Sequence, residues 1–435
     1  MLRRKIESKL NNWKNNSSKK CLLIRGARQV GKTTSVREFG KNYNSFIEIN
    51  FLKTPELSAI FSGNLDIKTL LLNFSLYLPE ADFIPNETLI FLDEIQECPN
   101  AITSLKFWME DGRYDIIASG SMMGIDYKRP TSYPVGSIDY IDMTPMSFEE
   151  FLWAKGISED VLHTLLGHFR EQTKIPDALN DKFFSFLREY MCIGGMPEVI
   201  AMYVSGSSIS DCYKKQTAIL NDYRYDIAHY ASSDVKIKAE KCYFSLPDQL
   251  SKENHKFKYS VVEKGGNARK YESSIEWLLG AYLVISCNNV SRMVSPLMSV
   301  KIDDNFRIYP TDIGILTSMF DYSIKKTLFT DSFDKAMGYL RGGLYEALIA
   351  DMLYKNGHDH LYFRKTEQGS FEIEFLLDDG INVIPVEVKA GNSRSRSLDN
   401  ALKKDNIPYG YKLITGNAGK DGKKITLPLY MAMFL

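Results

Sequence analysis

The chain has 435 residues, about three domains' worth, and its 54 basic and 54 acidic side chains sum to a net charge of zero. That balance excludes the global basicity of a nucleic-acid coat protein, so any nucleic-acid surface must be a local patch. At 44% hydrophobic and 25% charged residues, the composition suits a soluble folded protein and excludes a mainly disordered, collagen-like or coiled-coil chain. Cys21, Cys98, Cys192, Cys212, Cys242 and Cys287 lie far apart, which reads as buried thiols in a reducing compartment. Arg3, Arg4, Lys5 and Lys9 are not followed by an apolar run, and the longest strongly apolar stretch, 277–287, is too short for a bilayer. A cytoplasmic chain without a membrane partner is expected.

Up to about residue 151, short apolar runs at 21–24, 45–50, 88–92 and 115–118 alternate with helical stretches. Such alternation predicts the α/β class with a doubly wound, mostly parallel sheet. Over 152–232 the apolar spacing is helical, and the helix predicted at 183–193 is stopped by Gly194, Gly195 and Pro197. Residues 233–318 add helices, then strand-like pieces at 298–302 and 306–309. Asp303, Asp304 and Asn305 between them have turn chemistry, so a hairpin and a winged-helix-like region are expected. The rest holds a helix at 340–355, strands at 361–365, 371–377 and 382–389, a helix at 398–404 and a strand at 411–415. The expected domains are 1–151, 152–232, 233–318 and 319–435.

Gly26-Ala27-Arg28-Gln29-Val30-Gly31-Lys32-Thr33 fits G-x-x-x-x-G-K-[ST], and Thr34 continues it into the predicted helix. Glycines let backbone amides turn onto phosphate oxygens, the helix end adds a favourable dipole, and the Lys32 ammonium spans the outer phosphates. Thr33 is the expected magnesium ligand. Downstream, Thr88-Leu89-Ile90-Phe91-Leu92-Asp93-Glu94 is an apolar strand ending in two acids. Asp93 is expected to orient the magnesium and Glu94 to polarise the attacking water, as phosphoryl transfer to water requires. The run 115–118 leads into Ser119-Gly120-Ser121, where a hydroxyl senses the terminal phosphate or a plain Ser/Gly turn stands, the two being equally compatible with the sequence. ATP and Mg²⁺ are the expected cofactors, with Lys32, Glu94 and Ser119 as catalytic candidates.

Those motifs, with Asp93-Glu94-Ile95-Gln96 and Pro145-Met146-Ser147-Phe148-Glu149-Glu150-Phe151, resemble a prokaryotic family of AAA-type ATPases. Members carry a characteristic C-terminal domain of unknown function. The resemblance extends through Gly194-Gly195-Met196-Pro197, Asp312-Ile313-Gly314-Ile315-Leu316, Gly342-Gly343-Leu344-Tyr345-Glu346 and Pro385-Val386-Glu387-Val388-Lys389. Many relatives have an arginine just before the Pro-x-Ser-Phe segment; here Tyr133-Pro134-Val135-Gly136 stands there and Arg129 is the nearest upstream arginine. A transition-state arginine would then come from a neighbouring subunit of an oligomer or from a bound partner, and basal turnover would be slow.

Glu346, Glu374, Glu387 and Lys389 stand in the order of PD-(D/E)xK nucleases, whose restriction-endonuclease-like α/β fold the resemblance implies. Alternation puts Glu372 and Glu374 on one strand face and Glu387 and Lys389 on one face of the next. Carboxylates there would hold magnesium and the lysine would position water, although Glu374 replaces the usual aspartate. Between 252 and 270, Lys252, Lys256, Lys258, Lys264, Arg269 and Lys270 face only Glu253 and Glu263, six charges against two for a net of +4. Such a patch suits DNA phosphates, or simply a solvated basic face. The sequence thus reads as a Mg²⁺-dependent ATPase coupled to a DNA-binding or nuclease-like C-terminal module, the alternative being an ATP-dependent switch for a protein partner with the nuclease-like fold inactive.

Overall fold

The computed structural model describes residues 2–121, 134–252, 255–332, 338–367, 369, 371–391 and 394–435. Two units form, one of Met1–Thr144 with Gly280–Tyr282, the other of Pro145–Leu279 with Leu283–Leu435. In the first, Cys21–Arg25 (β1), Ser45–Asn50 (β2), Thr88–Asp93 (β3), Asp115–Gly120 (β4) and Ile138–Asp142 (β5) make an all-parallel sheet ordered β2-β3-β4-β1-β5. The first four strands fall where the apolar runs place them; β5 is added beside β1, its half-exposed alternating pattern being that of an edge. Every residue of β3 is buried, which is why the strand reads as a continuous apolar run rather than an alternating one. Each such Leu, Ile or Phe stabilises by about 2 kcal/mol.

Helices cover this sheet, and their ends are written in the sequence. Ile67–Tyr77 begins at Asp66, whose carboxylate accepts from the Thr69 amide at 2.9 Å. Pro99–Asp111 opens on proline and closes on Gly112. Trp108 of that helix meets Phe74 and Tyr114 edge-on, each at 6.0 Å. All six cysteines are buried free thiols.

The second unit starts with helices, among them Phe148–Ala154, Asp177–Ile193 and Ile209–Tyr230. Ser147 and Glu150 form a reciprocal cap on the first. Its sheet has eight strands: Val284–Val290 (β6), Lys301–Pro310 (β7), Leu361–Lys365 (β8), Glu372–Asp378 (β9), Val383–Lys389 (β10), Gly410–Ile414 (β11), Gly419–Asp421 (β12) and Lys424–Pro428 (β13). Their order is β12-β13-β11-β10-β9-β8-β6-β7. Two features correct the sequence expectation. Of the strand pieces expected at 298–302 and 306–309, residues 298–300 lie in a 3-10 turn and the rest belong to one strand, β7, whose antiparallel partner is β6; the ladder steps from Asn288↔Phe306 to Asn289↔Ile302, so the three polar residues bulge out instead of turning the chain. In addition, β6 pairs in parallel with β8, so the sheet runs through the boundary expected at 318/319.

A buried lysine ties the second unit together. Lys355, at the end of the helix Gly338–Lys355, lies 2.7 Å from Asp351, 3.1 Å from Asp312 and 3.0 Å from the Tyr190 hydroxyl. Asp312 also accepts from the Gly195 amide at 2.5 Å. A Cβ at Gly195 would stand 2.1 Å from the Met146 carbonyl oxygen, so only glycine fits there. Three of the recognised motifs, around Met146, Gly195 and Asp312, therefore meet at one internal ion cluster and serve the fold.

Candidate functional site

The loop between β1 and the helix Lys32–Gly40 forms a tight cradle. Gly26 takes φ 144° and its Cβ would stand 2.1 Å from the Met143 carbonyl oxygen, so no side chain is tolerated. Gln29 and Gly31 also have positive φ, 64° and 96°. Lys32, the first residue of the helix, folds its ammonium back onto the Gly26 and Ala27 carbonyls, both at 2.8 Å. Arg4 reaches the loop from outside it: its guanidinium donates to the Val30 carbonyl at 2.7 Å and the Thr144 carbonyl at 2.9 Å. Nothing in the sequence near the motif points to Arg4, because its contacts depend on tertiary folding.

Parallel register brings the acids beside this cradle. Asn50, Asp93 and Ser119 are neighbours across β2, β3 and β4. Buried Asp93 accepts from the Thr33 hydroxyl at 2.8 Å, from Asn50 Nδ2 at 2.7 Å and from the Ser119 hydroxyl. All three donors are neutral. Ser119, expected at the terminal phosphate, thus donates to Asp93, and Asn50 is a member of this cluster that motif reading missed. Its only signal is its place at the carboxyl end of β2. Glu94 adopts φ 52° and accepts from Gln96 Nε2 at 2.7 Å. The amide side of Gln96 must face that carboxylate, which leaves Oε1 buried without a partner. Arg129 lies outside the described residues.

In the second unit, Glu372, Glu374, Glu387 and Lys389 line an open pocket of about 420 Å³ with Arg394, Arg396 and Ser397. Lys389 bridges Glu374 at 3.1 Å and Glu387 at 2.9 Å. Burial, the Glu387 charge and Glu346 together push Glu374 up to about 7 despite Lys389. Burial works against the Lys389 charge, yet the two carboxylates outweigh it and raise the ammonium above its usual range. Glu346, expected with these acids, is not in the pocket wall. Its carboxylate is held by Arg307 at 2.7 Å, His255 at 2.6 Å and the Tyr309 hydroxyl, and these partners overcome burial to keep it well below the usual carboxylate range. Arg307, fully buried, also pairs with Glu372. Among the described residues no group of three or more His, Cys, Asp or Glu is arranged to hold a metal ion.

The basic segment is partly neutralised. Glu263 accepts from Lys270 at 2.8 Å, Tyr271 at 2.5 Å and Lys241 at 3.3 Å, and these bonds lower its carboxyl to about 2. Lys252, Lys258, Lys264, Arg269 and Lys270 are exposed and Lys256 half-buried.

Residues 18–152 match a family described as an AAA domain, 185–326 a domain of unknown function (DUF8612) and 341–431 another domain of unknown function (DUF4143). With its cradle, its strand-end acids and its all-parallel sheet, the first unit is an AAA-type domain of the P-loop ATPase class. No curated protein matches the chain. Among solved structures, the Walker-type ATPase PABY2304 of Pyrococcus abyssi is similar at 12% identity, over 73% of this chain and 96% of that one, with a TM-score of 0.43. The Aeropyrum pernix ORC1 protein in complex with DNA is similar at 13% identity, over 75% and 91%, with a TM-score of 0.27. The ADP form of the Aeropyrum pernix ORC2 protein reaches 14%, over 76% and 95%, with a TM-score of 0.32. Scores this low add nothing to the sheet order and the domain match. No helix among the described residues is long and apolar enough to cross a membrane.

Proposed function

We propose that the chain binds ATP with Mg²⁺ in the Gly26–Thr34 loop and hydrolyses it to ADP and phosphate. One observation carries the reading: the Thr33 hydroxyl and the Asp93 carboxylate meet at 2.8 Å beside a loop that admits no Cβ at Gly26. Hydroxyl and carboxylate oxygens are the ligand types magnesium prefers, and neutral donors leave the Asp93 charge for a cation. When bound, the ion screens the charge that builds on the phosphates. Lys32 holds phosphate charge at the helix start, Glu94 takes the proton of the attacking water, and Asn50 and Ser119 keep Asp93 in place. Released phosphate from full-length wild type, Lys32→Ala and Glu94→Gln tests this. Lys32→Ala is expected to lose turnover and most nucleotide affinity, Glu94→Gln to keep affinity and lose turnover by about a hundredfold or more. Undiminished turnover in both refutes it.

Nucleotide state, in this reading, governs a C-terminal module that engages DNA through the exposed part of 252–270. The functional parts in this reading are a nucleotide-binding part, 1–151, a helical connector, 152–232, and a nuclease-like remainder, 233–435. The second reading, a switch for a protein partner, is favoured by the pocket itself. Lys389 occupies the space between Glu374 and Glu387, and Glu346 is engaged elsewhere, which suits a retained scaffold better than a cutting centre. DNA affinity that falls steeply with salt, with a slope flattened in Lys256→Glu/Lys258→Glu, separates the two; no DNA binding at low salt leaves the protein-partner reading.

A further inference from the structure

A groove of about 580 Å³ lies within the second unit, between the helix Ala268–Gly280 and the β6–β7 ribbon. Ala268, Glu272, Ile275, Glu276 and Leu279 recur at the spacing of one helix face and form one wall. Tyr259 and Phe306, in edge-on contact at 6.4 Å, complete an apolar floor with Ile275 and Leu279. Phe306 is backed by Phe257, stacked at 5.9 Å, so the floor is fixed.

The rim is acidic. Glu272 and Glu276 are exposed along the helix wall, and the bulge at 303–305 lifts Asp303 and Asp304 above the opposite wall. Lys301 pairs with Asp303 at 2.8 Å. Glu272, Glu276 and Asp304 have no cationic partner among the described residues. A cleft of this volume with an apolar floor and a few polar groups at its edge has the form of a binding site, and unpaired carboxylates around it repel phosphate and attract ammonium and guanidinium groups. The wall from Ala268 to Leu279 spans about 17 Å along the helix axis, the length of about five residues of extended chain. An extended chain sends alternate side chains to opposite sides.

We infer that this groove docks a short extended peptide segment in which apolar residues alternate with lysine or arginine, the apolar side chains entering between Ile275, Leu279 and Phe306 and the cations meeting Glu272, Glu276 and Asp304. The occupant is a protein segment and not nucleic acid, whose phosphates the rim rejects. This surface is separate from the P-loop and from the acid pocket, and its use does not depend on hydrolysis.

The test uses the full-length chain and a fluorescein-labelled peptide of alternating arginine and leucine, read by anisotropy. Binding is expected, weakening with salt. Glu272→Lys/Glu276→Lys should reduce affinity by about tenfold or more, whereas the same charge change at exposed positions elsewhere, Glu56→Lys/Glu80→Lys, should leave it within about twofold. Phe306→Ala should weaken binding severalfold while keeping its salt dependence. A peptide of alternating arginine and serine should bind far less. No binding of the arginine–leucine peptide, equal loss in both charge variants, or equal affinity for the arginine–serine peptide each overturns the proposal.

Discussion

Two carboxylate centres in this chain both stand on sheet strands and both are hydrogen-bonded, yet one, Asp93, is buried and the other lines an open pocket. Asp93 is held by Thr33, Asn50 and Ser119, three neutral donors, so its charge is oriented and no cation is bonded to it. Glu374 and Glu387 share an ammonium, Lys389, at 3.1 and 2.9 Å, and burial pushes Glu374 up to about 7. One centre retains a charge for something to come; the other supplies its own cation. Carboxylates in the right order along a chain are therefore insufficient to define a metal site, because the nearest cation decides whether there is charge left to bind one.

The sharpest way to break the comparison is to remove the charge at Asp93. Asp93→Asn should lower Mg²⁺-dependent nucleotide affinity by about a hundredfold, measured with a fluorescent nucleotide with and without Mg²⁺. Denaturant stability should hold or rise by about 1 kcal/mol, since a buried charge without a directly bonded cation opposes folding. Retained Mg²⁺ dependence would assign the metal to another residue. At the second centre the signs reverse. Lys389→Met strands two carboxylates and should destabilise by about 2 kcal/mol, with much of the loss restored by adding Glu374→Gln. If the second change restores nothing, Lys389 is not acting as the counter-ion.

A third carboxylate extends the contrast inward. Burial and the nearby Asp312 raise Asp351 to about 6 against the pull of Lys355. Its folded value lies above the ordinary value of about 4, so the folded chain holds that proton more tightly than the unfolded chain. Stability from this group is present below about pH 4 and lost as pH rises through about 6. Asp351→Asn should flatten the fall in stability across this window, read by thermal melts at several pH values; a slope unchanged in the variant places the titration elsewhere.

What was legible in the sequence follows from how local each determinant is. The Gly26–Thr33 loop and the β3 acids are contiguous and flanked by their own strand and helix, so their conformation is encoded within a few residues. Asn50 could not be singled out, because it matters only through the lateral order β2-β3-β4. Turn chemistry at Asp303-Asp304-Asn305 predicts a chain reversal, whereas the chain bulges there and runs on, since a bulge and a turn use the same residues. Glu346 was grouped with Glu374 and Glu387 by their order, whereas β7 brings Arg307 and Tyr309 onto it from nearly forty positions away. Likewise the basic segment's net charge concealed Glu263, which collects Lys241 from the helix Lys236–Phe244 as well as Lys270.

The smallest expected effect concerns Arg4, which touches neither acid centre but steadies the first. Its guanidinium spans the Val30 and Thr144 carbonyls at 2.7 and 2.9 Å, tying the loop that must hold phosphate to the chain just beyond β5. Without that brace the loop samples more conformations, and ordering it again on binding draws on the binding free energy. Arg4→Ala should therefore weaken nucleotide affinity by about three- to tenfold, an effect of order 1 kcal/mol, while turnover at saturating ATP stays within about twofold. Arg4→Lys should recover little, because an ammonium cannot reproduce two donors in a rigid planar fork. The readouts separate bracing from chemistry: a raised KM with unchanged kcat belongs to a residue that preorganises the loop. An equal fall in kcat and kcat/KM would instead mean that Arg4 acts in the transition state, and unchanged affinity would mean that the loop holds its shape unaided.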